Sequence, residues 1–88
     1  MNQAQTVEER VREFVLKQFP LARKGGVKPD DRWLETGLID SLGILDLVRF
    51  LEMEFSLHVS DEELSPENFQ SLAAVASFVD AKLAGSIK

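Results

Sequence analysis

Apolar residues recur at helical spacing in three stretches of the chain. In the first, Val7, Val11, Phe14, Val15 and Phe19 share one face. Thr6-Val-Glu-Glu9 opens it as a capping box, in which hydroxyl and carboxylate each satisfy a backbone N–H of the other's residue. Pro20 lacks an N–H and cannot continue the ladder, so a helix is expected from Thr6 to Phe19. The third stretch places Leu72, Val75, Ala76, Val79 and Leu83 on one face, with Phe78 beside them, Ser71 as the cap and Gly85 as the terminator.

The middle stretch, Glu35 to Phe55, carries more apolar residues than one buried face needs. Ile44, Leu47, Val48, Leu51 and Phe55 form a core-facing stripe. Leu42, Leu45, Arg49 and Met53 form a second stripe, with Asp46 beside it. A helix buried on two sides would explain both. A stripe mixed with charges and beginning beside a special site is better explained as a docking surface. Asp40 is a natural N-cap. Ser41 then falls at the first helical position, at the positive end of the helix dipole, where free N–H groups stabilise an attached phosphate. The helix would run about 15 residues, roughly 22 Å.

The connections are less regular. From Pro20 to Ile39 the chain contains Gly25-Gly26, Pro29 and Asp30-Asp31, and reads as a long loop with a helical turn near Asp31 to Leu34. Trp33, Leu34, Leu38 and Ile39 are the expected anchors of that loop, with Gly37 supplying a turn. Ser56 to Val59 reads as extended. Ser60-Asp-Glu-Glu63 repeats the capping-box pattern and Ser65-Pro-Glu-Asn68 puts proline at a first helical position. Leu64 and Phe69 are expected to turn inward. The fold predicted is all-α: a small four-helix bundle of three main helices and a short one, with a long first loop. Residues 6–84 form a single domain, with 1–5 and 85–88 as flexible termini.

Composition and charge narrow the function. At 88 residues and 44% hydrophobic content the chain suits one folded domain with a thin core. Its apolar runs are too short for a membrane span, and its N-terminus lacks the plan of a signal peptide. With no cysteine, a disulfide framework is excluded. A soluble, cytoplasmic monomer is expected. The net charge of −5 is uneven. Residues 41–72 carry Asp46, Glu52, Glu54, Asp61, Glu62, Glu63 and Glu67 against Arg49 alone, which disfavours nucleic acid and anionic membrane and favours basic protein surfaces. A charge surplus also serves solubility alone.

The residues offer little to a catalyst. His58 is the only histidine and lies in an expected surface loop, and no G-x-S-x-G turn is present. Zinc ligands are wanting, and the acidic pairs lack the alternating pattern of a calcium loop. No catalytic residue and no metal ligand is assigned. The residues describe a non-enzymatic domain that presents one serine.

Gly37-Leu-Ile-Asp-Ser-Leu-Gly43, set between a capped first helix and a Leu/Val-rich second one, resembles the acyl carrier proteins and the related aminoacyl and peptidyl carriers. The resemblance extends from Thr6-Val-Glu-Glu-Arg-Val11 through Asn68-Phe-Gln-Ser-Leu72. It implies that Ser41 is esterified by a phosphopantetheine arm from coenzyme A. A magnesium-dependent phosphopantetheinyl transferase would read Asp40, Leu42 and the following helix. The thiol of the arm would hold a cargo as a thioester. Leu45, Asp46, Arg49 and Met53 would complete the partner-recognition face for an acyl- or amino-acid-activating ligase and for downstream acyl-transfer or synthase enzymes. Ile44, Leu47, Leu51, Phe69, Leu72 and Val75 would line the region where such carriers shelter cargo, although these are also core positions in any bundle of this kind.

Two departures are informative. Members serving fatty acid synthesis usually place an acid after Asp-Ser-Leu, where this chain has Gly43, and Arg49 and Met53 interrupt their acidic second helix. Thr36-Gly37-Leu38-Ile39 is instead similar to stand-alone carriers of specialised pathways, including those loaded with amino acids by adenylating ligases. The competing expectation is an unmodified interaction module with the same fold, in which Ser41 merely begins a helix.

Overall fold

In the computed structural model, residues 5–85 are described and form an all-α bundle, with no strand among them. Three long helices carry it: α1 (Val7–Gln18), α4 (Ser41–Phe55) and α6 (Leu72–Leu83). Between them lie the short helices α2 (Pro20–Gly25), α3 (Trp33–Thr36) and α5 (Pro66–Phe69), and a 3₁₀ turn at Asp61–Glu63. The expectation of flexible ends falls largely on residues 1–4 and 86–88, outside the described residues.

Local signals set the helix starts. Glu9 N–H donates to Thr6 Oγ1 at 3.1 Å, and Thr6 N–H donates back to Glu9 Oε1 at 3.0 Å. Two of the orphan amides of α1 are thereby satisfied. Pro20 does more than end α1: it occupies the first position of α2, where its missing N–H costs nothing. The Arg23 guanidinium then reaches back to the carbonyls of Leu16 and Lys17, capping the C-terminus of α1. The long loop expected from Pro20 to Ile39 therefore begins with a helix, α2, that was not expected, while the helical turn expected near Asp31 to Leu34 is present as α3.

The core is built from Val11 and Val15 of α1, Leu47, Val48, Leu51 and Phe55 of α4, Phe69 of α5, and Leu72, Val75, Phe78 and Val79 of α6. Helix α1 packs against both α6 and α4. Its seam with α4 is aromatic: Phe14 stacks on Phe50 with ring centroids 4.3 Å apart, and Phe19 and Phe55 meet these rings edge-on. Arg10 sits over the Phe55 ring and pairs with Glu54. Phe50 belonged to neither stripe in the sequence pattern, and Phe14 is what draws it inward.

Trp33 and Ile39 are buried and anchor the first loop; Leu38 is half-buried. Trp33 N–H donates to Gln70 O and Ala73 N–H to Pro29 O, each at 2.9 Å, fastening the loop to the junction of α5 and α6. Three expected inward residues are instead exposed: Leu34, Leu64 and Leu83. Trp33 takes the inward position of a one-turn helix, and a residue one further along lies about 100° around the axis, so Leu34 faces out. Leu64 follows the 3₁₀ turn onto the surface. Leu83, on the last turn of α6, borders a shallow hollow with Leu57 and His58. The stretch expected to be extended begins at Ser56 with left-handed backbone, φ 53°, capping α4.

A well-shielded ion pair ties the 3₁₀ turn to α6. Lys82 Nζ donates to both Glu63 oxygens at 2.9 Å, with side-chain exposures of 10% and 13%. The Lys82 hydrogen bond first, and the Ser60 backbone N–H second, hold the Glu63 carboxyl below its ordinary range.

Two outcomes are expected. Leu47→Ala and Leu51→Ala should each cost about 2–5 kcal/mol in urea unfolding, because both side chains are fully buried. A carboxyl with a lowered folded pKa stabilises above its unfolded value, about 4.3 for glutamate, and that stabilisation is lost as pH falls through the folded value. Lys82→Met should therefore separate from the wild type in unfolding midpoint at pH 7, and the gap should close progressively below pH ~4.

Candidate functional site

The free end of α4 concentrates the features of interest. Asp40, in extended backbone, caps the helix: Gly43 N–H donates to Asp40 Oδ1 at 2.8 Å. The helical ladder begins with Ile44 N–H donating to Asp40 O at 3.0 Å. The amides of Ser41 and Leu42 have no intrahelical acceptor, as at any helix start. Ser41 is exposed, and the first turn contains no acidic side chain. Open amides, the dipole and an accessible hydroxyl meet at one point, so a phosphodiester at this oxygen would be stabilised electrostatically.

Gly37, with φ 78°, ends α3 in the left-handed region and turns the chain toward Asp40. Gly43 is buried for a different reason. A Cβ there would lie 2.7 Å from Ile39 Cγ2 and 2.7 Å from Phe19 Cε1. The missing side chain lets the end of α1 and the loop close directly onto the first turn of α4. This role could not be seen in the sequence, where Gly43 registered only as a missing acid.

Beside Ser41 lies a shallow pocket of about 200 Å³. Ile44 and Leu45 of α4, Leu34 of α3, and Leu64, Pro66 and Phe69 supply most of its wall. Leu34, Leu64 and Pro66 were not among the candidate residues; the one-turn phase of α3 and the proline at the start of α5 were the available signals. Of the six candidate cargo-lining residues, Ile44 and Phe69 reach this pocket. Leu47, Leu51, Leu72 and Val75 lie in the core with no exposed surface.

The second stripe of α4 faces solvent. Leu42 is 73% exposed and Met53 80%, and Leu45, Asp46 and Arg49 are also exposed. Asp46, Arg49 and Met53 border a separate hollow with Phe14, Gln18, Phe50 and Glu54. The face is thus a row of uncovered apolar side chains with charges of both signs along it. His58 lies beyond the opposite end of α4 from Ser41, with its Nδ1 3.5 Å from Glu52 Oε2. It cannot serve Ser41 as a base across the length of the helix. Among the described residues no group of three or more His, Asp and Glu side chains is placed to hold a metal, and no helix is long and apolar enough to cross a membrane.

No family model matches the chain. It is similar to an acyl carrier protein of Helicobacter hepaticus, at 33% identity over 73 residues, which cover 83% of this chain and 92% of that relative. It is also similar to the probable acyl carrier protein PigG of a Serratia species, at 27% identity over 73 residues, covering 83% and 84% of the two chains.

Substitution of Gly43 tests the close approach at this site. Gly43→Ala gains helix propensity yet must displace Ile39, which is almost wholly buried, and the Phe19 ring. A net loss of about 1–3 kcal/mol is expected in urea unfolding. The loss should shrink when Gly43→Ala is made in a Phe19→Ala background, because neighbouring substitutions are not additive.

Proposed function

This chain belongs to the acyl carrier protein family, and on that premise we propose that it is a discrete carrier whose cargo travels on a phosphopantetheine arm attached to Ser41. The observation that carries the assignment is an exposed serine at the first residue of a capped, 15-residue helix, with open amides around it and, among the described residues, no side chain closing over it. Residues 6–84 are the carrier domain.

Attachment joins Ser41 Oγ to the phosphorus that bears the pantetheine half of coenzyme A. The diphosphate bond breaks, the adenosine bisphosphate leaves, and the serine proton passes to the transferase or water. The chain contributes an unhindered nucleophilic oxygen and a helix end that favours the resulting negative charge. When attached, the arm supplies a thiol for thioester chemistry, which a chain without cysteine otherwise lacks. The domain is not itself a catalyst in this reading: its single histidine lies beyond the far end of α4 from Ser41, and activation and transfer belong to partner enzymes.

Asp40, Leu42, Leu45, Asp46, Arg49 and Met53 form the recognition face in this reading. Their exposure supports it, since uncovered leucine and methionine at helical spacing are costly to leave in water without use. The partners are a phosphopantetheinyl transferase, an acyl- or amino-acid-activating ligase and downstream acyl-transfer or synthase enzymes. Gly43 and Arg49, where members for fatty acid synthesis are acidic, favour a specialised biosynthetic pathway, with an acyl or aminoacyl cargo.

Incubation with coenzyme A, magnesium and a broad-specificity phosphopantetheinyl transferase should add the mass of one arm to the wild type and none to Ser41→Ala. A wild type of unchanged mass would identify the chain as an unmodified interaction module.

A further inference from the structure

Phe19 stands where the first two helices meet. Its N–H donates to Val15 O at 3.0 Å, and its carbonyl accepts from the Ala22 and Arg23 N–H groups at 3.0 and 3.3 Å. One residue thereby closes α1 and opens α2. The Arg23 guanidinium braces this joint by donating to Lys17 O at 2.6 Å. The ring is held as firmly as the backbone, because Phe14 meets it edge-on with centroids 6.2 Å apart.

The ring so fixed abuts the backbone of α4. A Cβ at Gly43 would lie 2.7 Å from Phe19 Cε1 and 3.2 Å from Cζ. Gly43 is also the residue whose N–H donates to Asp40 Oδ1, closing the cap of the helix. Glycine gives up more backbone freedom on folding than any other residue, so a first turn that contains one is prone to open. Opening would release the cap and disperse the free amides that converge on Ser41. Ile39 touches the same point, but it adjoins Asp40 in sequence and moves with it. Phe19 is the contact that comes from a separate part of the fold.

From this contact, and resting on the carrier reading above, we infer that Phe19 is a positioning residue for attachment of the arm. It acts through Gly43 and the Asp40 cap to keep the first turn of α4 closed. Ser41 Oγ and the amides beside it then meet the incoming phosphorus in one geometry, as the new oxygen–phosphorus bond forms and the diphosphate bond breaks. Phe19 is not part of the proposed recognition face. Removing its ring slows the transfer step and leaves docking of the transferase unchanged.

The test uses the full chain with coenzyme A, magnesium and the broad-specificity transferase in excess, so that single turnovers separate transfer from binding. Phe19→Ala should slow transfer at saturation by at least fivefold, since a displacement of about 1 Å can cost a hundredfold. The transferase concentration that gives half the maximal rate should stay within about twofold of the wild type. Val79→Ala, which removes a fully buried side chain of α6, should lose stability and keep the wild-type rate. Hydrogen exchange gives a readout that needs no arm. The Gly43 amide should exchange at least fivefold faster in Phe19→Ala, measured against the Ala74 amide, which donates to the Ser71 cap of α6 at 3.2 Å. Adding Gly43→Ala to Phe19→Ala puts a methyl group where the ring stood and should restore part of the rate. Phe19→Leu gives the same comparisons with smaller differences if Phe19→Ala does not fold.

A folded Phe19→Ala chain, or Phe19→Leu in its place, with wild-type transfer and wild-type Gly43 exchange overturns the inference and leaves the carrier reading intact. Slowing that Val79→Ala shares overturns it too, because Phe19 would then serve stability alone. So does a raised half-saturating concentration with an unchanged transfer rate, which would place Phe19 in docking. A wild type that gains no mass from coenzyme A removes the carrier reading and the role in attachment with it, while the exchange at Gly43 still decides whether Phe19 holds the helix start.

Discussion

Ile39 and the ring of Phe19 approach the first turn of α4 at a place where any residue but glycine would put a carbon atom, 2.7 Å from each. That contact brings the end of α1, the end of the first loop and the start of α4 together. Around it, Asp40 is placed to cap the helix and Ser41 is left outside. A serine at a helix start is common. This one is held by buried apolar packing behind it while its own side chain remains in water, which combines rigidity with access.

The same division runs through the rest of the molecule. The inner stripe of α4 enters a core shared with α1, α5 and α6, and its outer stripe has no cover among the described residues. The first loop is long but firmly attached, because Trp33 and Ile39 are buried and two backbone hydrogen bonds fasten it to the α5–α6 junction. In the carrier role proposed above, one face holds the fold and the other would be left to successive partners.

Much of this was legible in the residues because it depends on short-range chemistry. The capping box at Thr6 and the caps at Asp40 and Ser71 each need only a side chain and an amide three residues away. The buried stripes of α1 and α4 follow from helical period over several turns. Period fails where an element is too short to have one, which is why Leu34 and Leu64 were expected to turn inward and instead form the rim of the pocket. Pro20 was readable as a stop for α1, but its second use as the start of α2 depends on the loop's path. Phe50 and Gly43 depend on distant partners, Phe14 in one case and Phe19 with Ile39 in the other. Spacing along the chain carries no record of those meetings.

Trp33 is the sole indole of the chain, fully buried beneath the fastened loop and adjacent in sequence to Leu34 at the pocket rim. Its surroundings would report on a particular event, the release of the loop from the α5–α6 junction. Emission that shifts to longer wavelength while far-ultraviolet dichroism holds steady would identify a state with its helices formed and its anchor withdrawn. The protein thus contains its own optical gauge of the ground beneath its exposed serine.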